Sequence, residues 1–119
     1  MQKRYRIFIV EDHQLFREGL KSMLSRRDNV AVVGEAEDGL EAIRRIRELK
    51  PDLLLLDLSM PKMGGISVMK EVKRELPYTR ILALTIHESD QYVIEAFEAG
   101  SDGYCVKDAS RKELLIAID

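Results

Sequence analysis

Five short apolar runs punctuate the chain, each followed by a longer stretch whose apolar residues recur every three or four positions. The runs are Ile7-Phe8-Ile9-Val10, Val30 to Val33, Leu53 to Leu56, Ile81 to Leu84 and Tyr104-Cys105-Val106. None alternates apolar with polar residues, so each suits a strand covered on both faces, as in a parallel sheet. The stretches that follow carry Phe16, Leu20, Met23 and Leu24, then Leu40, Ile43, Ile46 and Leu49, then Ile66, Met69, Val72 and Leu76. Val93, Ile94 and Phe97 come next, and Leu114, Leu115 and Ile118 last. Such spacing lays one apolar stripe along each of five helices. Strand then helix, five times over, predicts a (βα)5 α/β fold.

The punctuation agrees with that division. Lys50-Pro51 breaks the chain before the third strand, Pro77 closes the third helix, and Gly100 follows the fourth. Asp90 and Ser110 are the expected N-caps of the fourth and fifth helices, Ser110 in a capping box with Glu113. Gly34-Glu35 reads as surface after the second strand. The charge run from Arg44 to Glu48 reads as the wet face of the second helix.

In an open parallel sheet the crossovers are right-handed and the site lies beyond the carboxyl ends of the strands. Glu11 and Asp12 follow the first run, Asp57 the third, Thr85 the fourth and Lys107 the fifth. Three carboxylates brought together repel by about 4 kcal/mol per pair at 4 Å and an effective dielectric near 20. Such a group needs a cation. Hard oxygen ligands suit Mg²⁺, which keeps coordination positions for water and phosphate. Lys107 offers a point charge and Thr85 a hydroxyl to phosphate oxygens. A carboxylate so placed can accept a phosphoryl group as an acyl phosphate.

Val10-Glu11-Asp12-His13, Leu56-Asp57-Leu58-Ser59-Met60-Pro61 with Gly64-Gly65, Leu84-Thr85 and Tyr104-Cys105-Val106-Lys107-Asp108 together resemble the receiver domain of bacterial two-component response regulators. The stretch from Asp12 to Leu20 and the Lys107-Asp108 ending look like its NarL/FixJ (LuxR-type) subfamily. The resemblance implies a flavodoxin-like three-layer sandwich with a five-stranded sheet in the order 2-1-3-4-5. It implies Asp57 as phosphoacceptor, with Mg²⁺ held by Asp12, Asp57 and the backbone carbonyl of Ser59, and by Glu11 through water. Lys107 would neutralise phosphoryl oxygens, and Thr85 and Tyr104 would form a switch pair. Pro61 and Gly65 would shape the loop after the acceptor. Ser59, Ile86 and His87 would flank the opening through which water reaches the phosphoryl group. A sensor histidine kinase would be the donor, a homodimer the product of phosphorylation, and DNA a partner only through a helix-turn-helix domain beyond residue 119.

Composition narrows the alternatives. The 119 residues make one domain, 45% hydrophobic residues supply a core, and 19 Lys and Arg against 21 Asp and Glu leave a net charge of −2. That balance lacks the basic surplus needed to grip nucleic acid unaided. One cysteine, no signal peptide and no membrane-length apolar run fit the cytoplasm. Cys105 reads as a small buried hydrophobe, and His13 and His87 as solvated loop residues. An aspartyl-phosphate phosphohydrolase is the enzymatic alternative. The haloacid dehalogenase type carries a second aspartate two residues after its nucleophile, where this chain has Ser59. A nucleotide-binding domain would need a glycine-rich first turn, and Glu11-Asp12-His13-Gln14 is none. The last apolar stripe ends without a glycine or proline stop, so the chain is expected to continue past Asp119. A receiver that works by docking on other proteins is the remaining alternative.

Overall fold

The structure is a computed structural model and describes residues 4–58, 65–85, 98 and 100–106. Eight elements lie within them: β1 (Tyr5–Val10), α1 (Gln14–Ser25), β2 (Val30–Ala36), α2 (Gly39–Leu49), β3 (Leu53–Asp57), α3 (Gly65–Glu75), β4 (Arg80–Thr85) and β5 (Gly103–Val106). The strands pair in parallel as one sheet in the order β2-β1-β3-β4-β5. This is the flavodoxin-like order expected from the sequence. The expected caps Asp90 and Ser110, and the fourth and fifth helical stripes, lie outside the described residues.

Strands without alternation are explained by two apolar layers, one on each side of the sheet. Successive side chains of a strand point to opposite faces. Phe8, Val10, Leu54, Leu56, Ile81 and Ala83 therefore meet Ala42, Ile43 and Ile46 of α2 and Val68, Met69 and Val72 of α3. Ile7, Ile9, Leu53, Leu55, Leu82 and Leu84 face the other way, against Leu20, Met23 and Leu24 of α1. Cys105 is buried in that second layer, as expected of a small hydrophobe. No helix among the described residues is long and apolar enough to cross a membrane.

Three expectations need correction. Leu40 does not join the stripe of α2. It is 58% exposed at the second position of the helix, while Ala42 is fully buried and contributes to the core. Gly34 and Glu35 are not surface beyond the second strand but half-buried residues of β2, which runs on to Ala36. The charge run of α2 is wet at Arg44, Arg47 and Glu48, and only Arg45 departs from the expectation. Arg45 Nη1 donates to the Glu35 carbonyl at 2.6 Å and its guanidinium lies 5.7 Å from the centre of the buried Phe8 ring. Arg47 Nε reaches Glu75 Oε2 of α3 at 2.7 Å. The start of α2 was missed altogether: Asp38 Oδ1 accepts from the Glu41 amide at 2.9 Å and caps the helix.

Gly34 answers to a close approach of β2 to the core. The pairing of β1 with β2 slips between Ile7↔Val32 and Phe8↔Gly34, leaving Val33 as an extra residue. A Cβ at position 34 would lie 2.8 Å from Phe8 Cε2 and 3.0 Å from Leu49 Cδ1. Phe8 is fully buried, so its ring cannot simply swing away. Gly34→Val is expected to cost about 1–3 kcal/mol through overpacking. A lower urea midpoint at unchanged slope would register that loss.

At the amino ends of the strands, Asp102 stitches β4 to α3. Its Oδ2 accepts from the Ile81 amide at 2.9 Å and from Lys73 Nζ at 2.7 Å, while its own amide donates to the Ile81 carbonyl at 2.8 Å. Burial pushes the Asp102 carboxyl up. The Lys73 and Ile81 hydrogen bonds and the charges of Lys73 and Arg80 outweigh it and hold the group below its ordinary value of 3.8. The folded state thus binds fewer protons than the unfolded one on the acid side. The stability Asp102 contributes is complete above 3.8 and is lost as pH falls through the lower folded value. Asp102→Asn should be less stable than wild type at pH 7 and lose less stability on acidification below pH 4. Urea melts at several pH values test both halves of that statement.

Candidate functional site

At the carboxyl edge of the sheet, β1 delivers Glu11 and Asp12 beside the end of β3. The Glu11 amide still pairs with the Ala36 carbonyl of β2 at 3.0 Å, so Glu11 is held as firmly as the strand before it. The chain then turns. The His13 amide donates to Glu11 Oε2 at 2.9 Å, and the Arg17 amide donates to the His13 carbonyl at 3.0 Å, closing the first turn of α1. Asp57 is the last residue of β3, opposite Leu84 in the β3–β4 register, and the Leu58 amide continues the ladder to the Leu84 carbonyl at 3.0 Å.

Glu11 and Asp57 are 0% and 1% exposed, whereas Asp12 is open to solvent. Each of the three offers a carboxylate oxygen, and these oxygens lie within 4.8 Å of one another. Two buried acids and one exposed acid form a half-enclosed, all-oxygen cup. Such a donor set fits a hard divalent cation entering from the Asp12 side.

The other expected site residues are less fully described. The register sets Thr85, the last residue of β4, beside Val106, and Tyr104 beside Ala83. Thr85 therefore follows directly on Leu84, the partner of Asp57, at the same sheet edge. Gly65 opens α3. Ser59, Pro61, Ile86, His87 and Lys107 lie outside the described residues. His13 is exposed, in line with its reading as a solvated residue.

Arg17 was missed. Although charged, it is only 6% exposed. Its Nη1 donates to the Glu11 carbonyl at 2.7 Å, its Nε to Glu35 Oε1 at 3.2 Å and its Nη2 to Glu37 Oε1 at 3.0 Å. Lys21 Nζ lies 2.7 Å from Glu35 Oε2. Hydrogen bonding from Lys21, helped by the charges of Lys21 and Arg17 and by Arg17's own hydrogen bond, holds the Glu35 carboxyl below its ordinary range against a smaller upward push from burial. The missed signal was positional. Arg17 precedes Leu20 by three residues and Leu24 by seven, so it stands in the apolar stripe of α1.

Known proteins resemble this chain in sequence and fold. The family described as response regulator receiver domain matches residues 7–119. Over 110 residues the chain is 44% identical to the uncharacterized transcriptional regulatory protein YhcZ of Bacillus subtilis (strain 168), covering 92% of this chain and 51% of that protein. It is 40% identical over 113 residues to the response regulator protein VraR of Staphylococcus aureus (strain Mu3 / ATCC 700698), covering 95% of this chain and 54% of that one. A two-component response regulator of the LuxR family from Aurantimonas sp. SI85-9A1 superposes with a TM-score of 0.92 at 40% identity, over 98% of this chain and 83% of that chain. The chain spans about half the length of the curated relatives it matches. Since the family match begins within β1 and takes in Glu11, Asp12 and Asp57 on the way to the last residue, the chain belongs to the response regulator receiver domains.

Proposed function

We propose that this domain is a phosphorylation-controlled switch with Asp57 as its acceptor. The observation that carries this reading is the placement of Asp57: nearly inaccessible, at the end of a central strand, with carboxylate oxygens of Glu11 and Asp12 within 4.8 Å. An Asp57 oxygen would attack the phosphorus of a phosphohistidine on a sensor histidine kinase. The bond from phosphorus to the imidazole nitrogen breaks as the acyl phosphate forms, and the leaving imidazole takes up a proton. The domain's own residues catalyse this transfer and the slow hydrolysis that resets it. Asp12, Asp57 and the Ser59 carbonyl would hold Mg²⁺, and Glu11 would act through water. Bound there, Mg²⁺ supplies charge neutralisation to the phosphoryl oxygens. Lys107 would add a second positive charge and Thr85 a hydrogen bond.

The new group adds about −1.5 to −2 charges and three acceptor oxygens. Thr85, one residue past the β4 partner of Asp57, ends an adjoining strand at the same sheet edge and would feel that charge, with Tyr104 on β5 as its partner in the switch. Ser59, Ile86 and His87 would govern water access to the phosphoryl group. The output is transcription, through a helix-turn-helix domain beyond residue 119 and a phosphorylation-dependent homodimer in the cytoplasm. The resemblance to transcriptional regulators about twice as long supports that part. Incubation with acetyl phosphate and Mg²⁺ tests the phosphoacceptor reading. Slow labelling with a single phosphoryl group per chain is the expected result. Steady turnover of small phosphomonoesters would favour a phosphohydrolase instead.

A further inference from the structure

Arg17 touches no group in the transfer just described, yet it holds the backbone from which two of the three acids project. The Glu11 carbonyl that accepts from Arg17 Nη1 belongs to the peptide unit joining Glu11 to Asp12. That unit is planar, so fixing its oxygen fixes the direction in which the chain leaves toward Asp12. The Ala36 carbonyl anchors the Glu11 amide, and the His13 amide anchors the Glu11 carboxylate. Arg17 supplies the remaining constraint. Its other two donors fasten it to Glu35 in β2 and Glu37 just beyond it.

An ordinary structural ion pair does not need this geometry. Lys21 already pairs with Glu35 from a side chain that is 45% exposed, whereas the Arg17 side chain is 7% exposed. A planar guanidinium directs donors from three nitrogens, in fixed directions, at one carbonyl and two carboxylates; an ammonium carries its three rotatable donors on a single atom and cannot spread them in this way.

We propose that Arg17 is a positioning residue that clamps the Glu11–Asp12 peptide to the end of β2 and thereby sets the affinity of the acidic cup for Mg²⁺. The proposal rests on the reading of Glu11, Asp12 and Asp57 as the Mg²⁺ site. Loss of an outer partner of this kind lowers metal affinity by about 10–100-fold.

The experiment is a titration of isotope-labelled protein with MgCl2, followed by amide NMR shifts around positions 11, 12 and 57, with thermal unfolding measured in parallel. Arg17→Met keeps the unbranched stem and removes every hydrogen bond. Its half-saturating Mg²⁺ concentration is expected to rise about tenfold, with Arg17→Lys falling between it and wild type. A purely structural role would lower the melting temperature and leave the half-saturation of the folded variant where it was, and that outcome overturns the proposal. Should Arg17→Met give the spectrum of an unfolded chain, the Glu35→Ala, Glu37→Ala double variant decides. It changes only partly exposed side chains and removes the anchor of the clamp. Weaker Mg²⁺ binding supports the proposal, and unchanged binding refutes it. Absence of any saturable shift in wild type would instead overturn the Mg²⁺ reading beneath it.

Discussion

Asn at position 57 should abolish phosphoryl labelling while leaving the fold intact. Asp57→Asn conserves shape at a position that is 1% exposed, so no cavity opens and no bulk is added. What disappears is the anionic oxygen. An amide oxygen is a poor nucleophile toward phosphorus, and as a neutral ligand it holds a divalent cation less tightly than a carboxylate does. Intact-mass spectrometry after long incubation with acetyl phosphate and Mg²⁺ should show wild type with one added phosphoryl group and the variant with none. Full labelling of the variant would move the acceptor elsewhere, most plainly to Asp12, the exposed member of the trio. Partial unfolding would be a different failure, visible as loss of the native amide NMR pattern. The expected change in labelling is therefore far larger than any accompanying change in stability.

What could be read from the residue pattern followed from two physical regularities. Strands buried on both faces cannot alternate, and the runs at Ile7, Leu53 and Ile81 announced three central strands without ambiguity. Carboxylates at strand ends are costly unless used, and Glu11, Asp12 and Asp57 do converge. The elements that escaped notice were those in which tertiary contacts override local pattern. Glu35 looks like surface because it is charged and follows glycine, but Arg17 and Lys21 reach it within a strand. Leu40 fits the helical stripe, but it comes before the turn of α2 that packs on the sheet, and Ala42 fills the place. Arg17 looks like one more charged helix residue. Its burial depends on Glu11, Glu35 and Glu37 being gathered by the fold, and no local rule records that. Their apolar surroundings put Thr85 and Tyr104 on a fourth and a fifth strand, the family resemblance implied that these strands are neighbours, and β4 and β5 pair accordingly.

Removing one of the three acids should stabilise the domain in the absence of divalent cations and destabilise it relative to wild type in their presence. At 4.8 Å and an effective dielectric near 20, two carboxylates repel by about 3 kcal/mol, less where one of them meets solvent and salt. Asp12 is the exposed member, so Asp12→Asn removes two such repulsions at little packing cost. The expected gain in chelator is about 1 kcal/mol after screening is allowed for. Magnesium reverses the order. A ligand that binds only the folded state adds about 2.7 kcal/mol at a hundred times its dissociation constant, and the variant has exchanged an anionic ligand oxygen for a neutral one that binds the cation less tightly. Urea melts of both proteins, in chelator and in excess MgCl2, should therefore cross: variant above wild type in the first, below it in the second. Raising the salt concentration should shrink the gap in chelator, because screening weakens the same repulsion. A variant less stable than wild type under both conditions would mean that the three carboxylates are not held against their mutual repulsion, and that their convergence needs no cation to explain it.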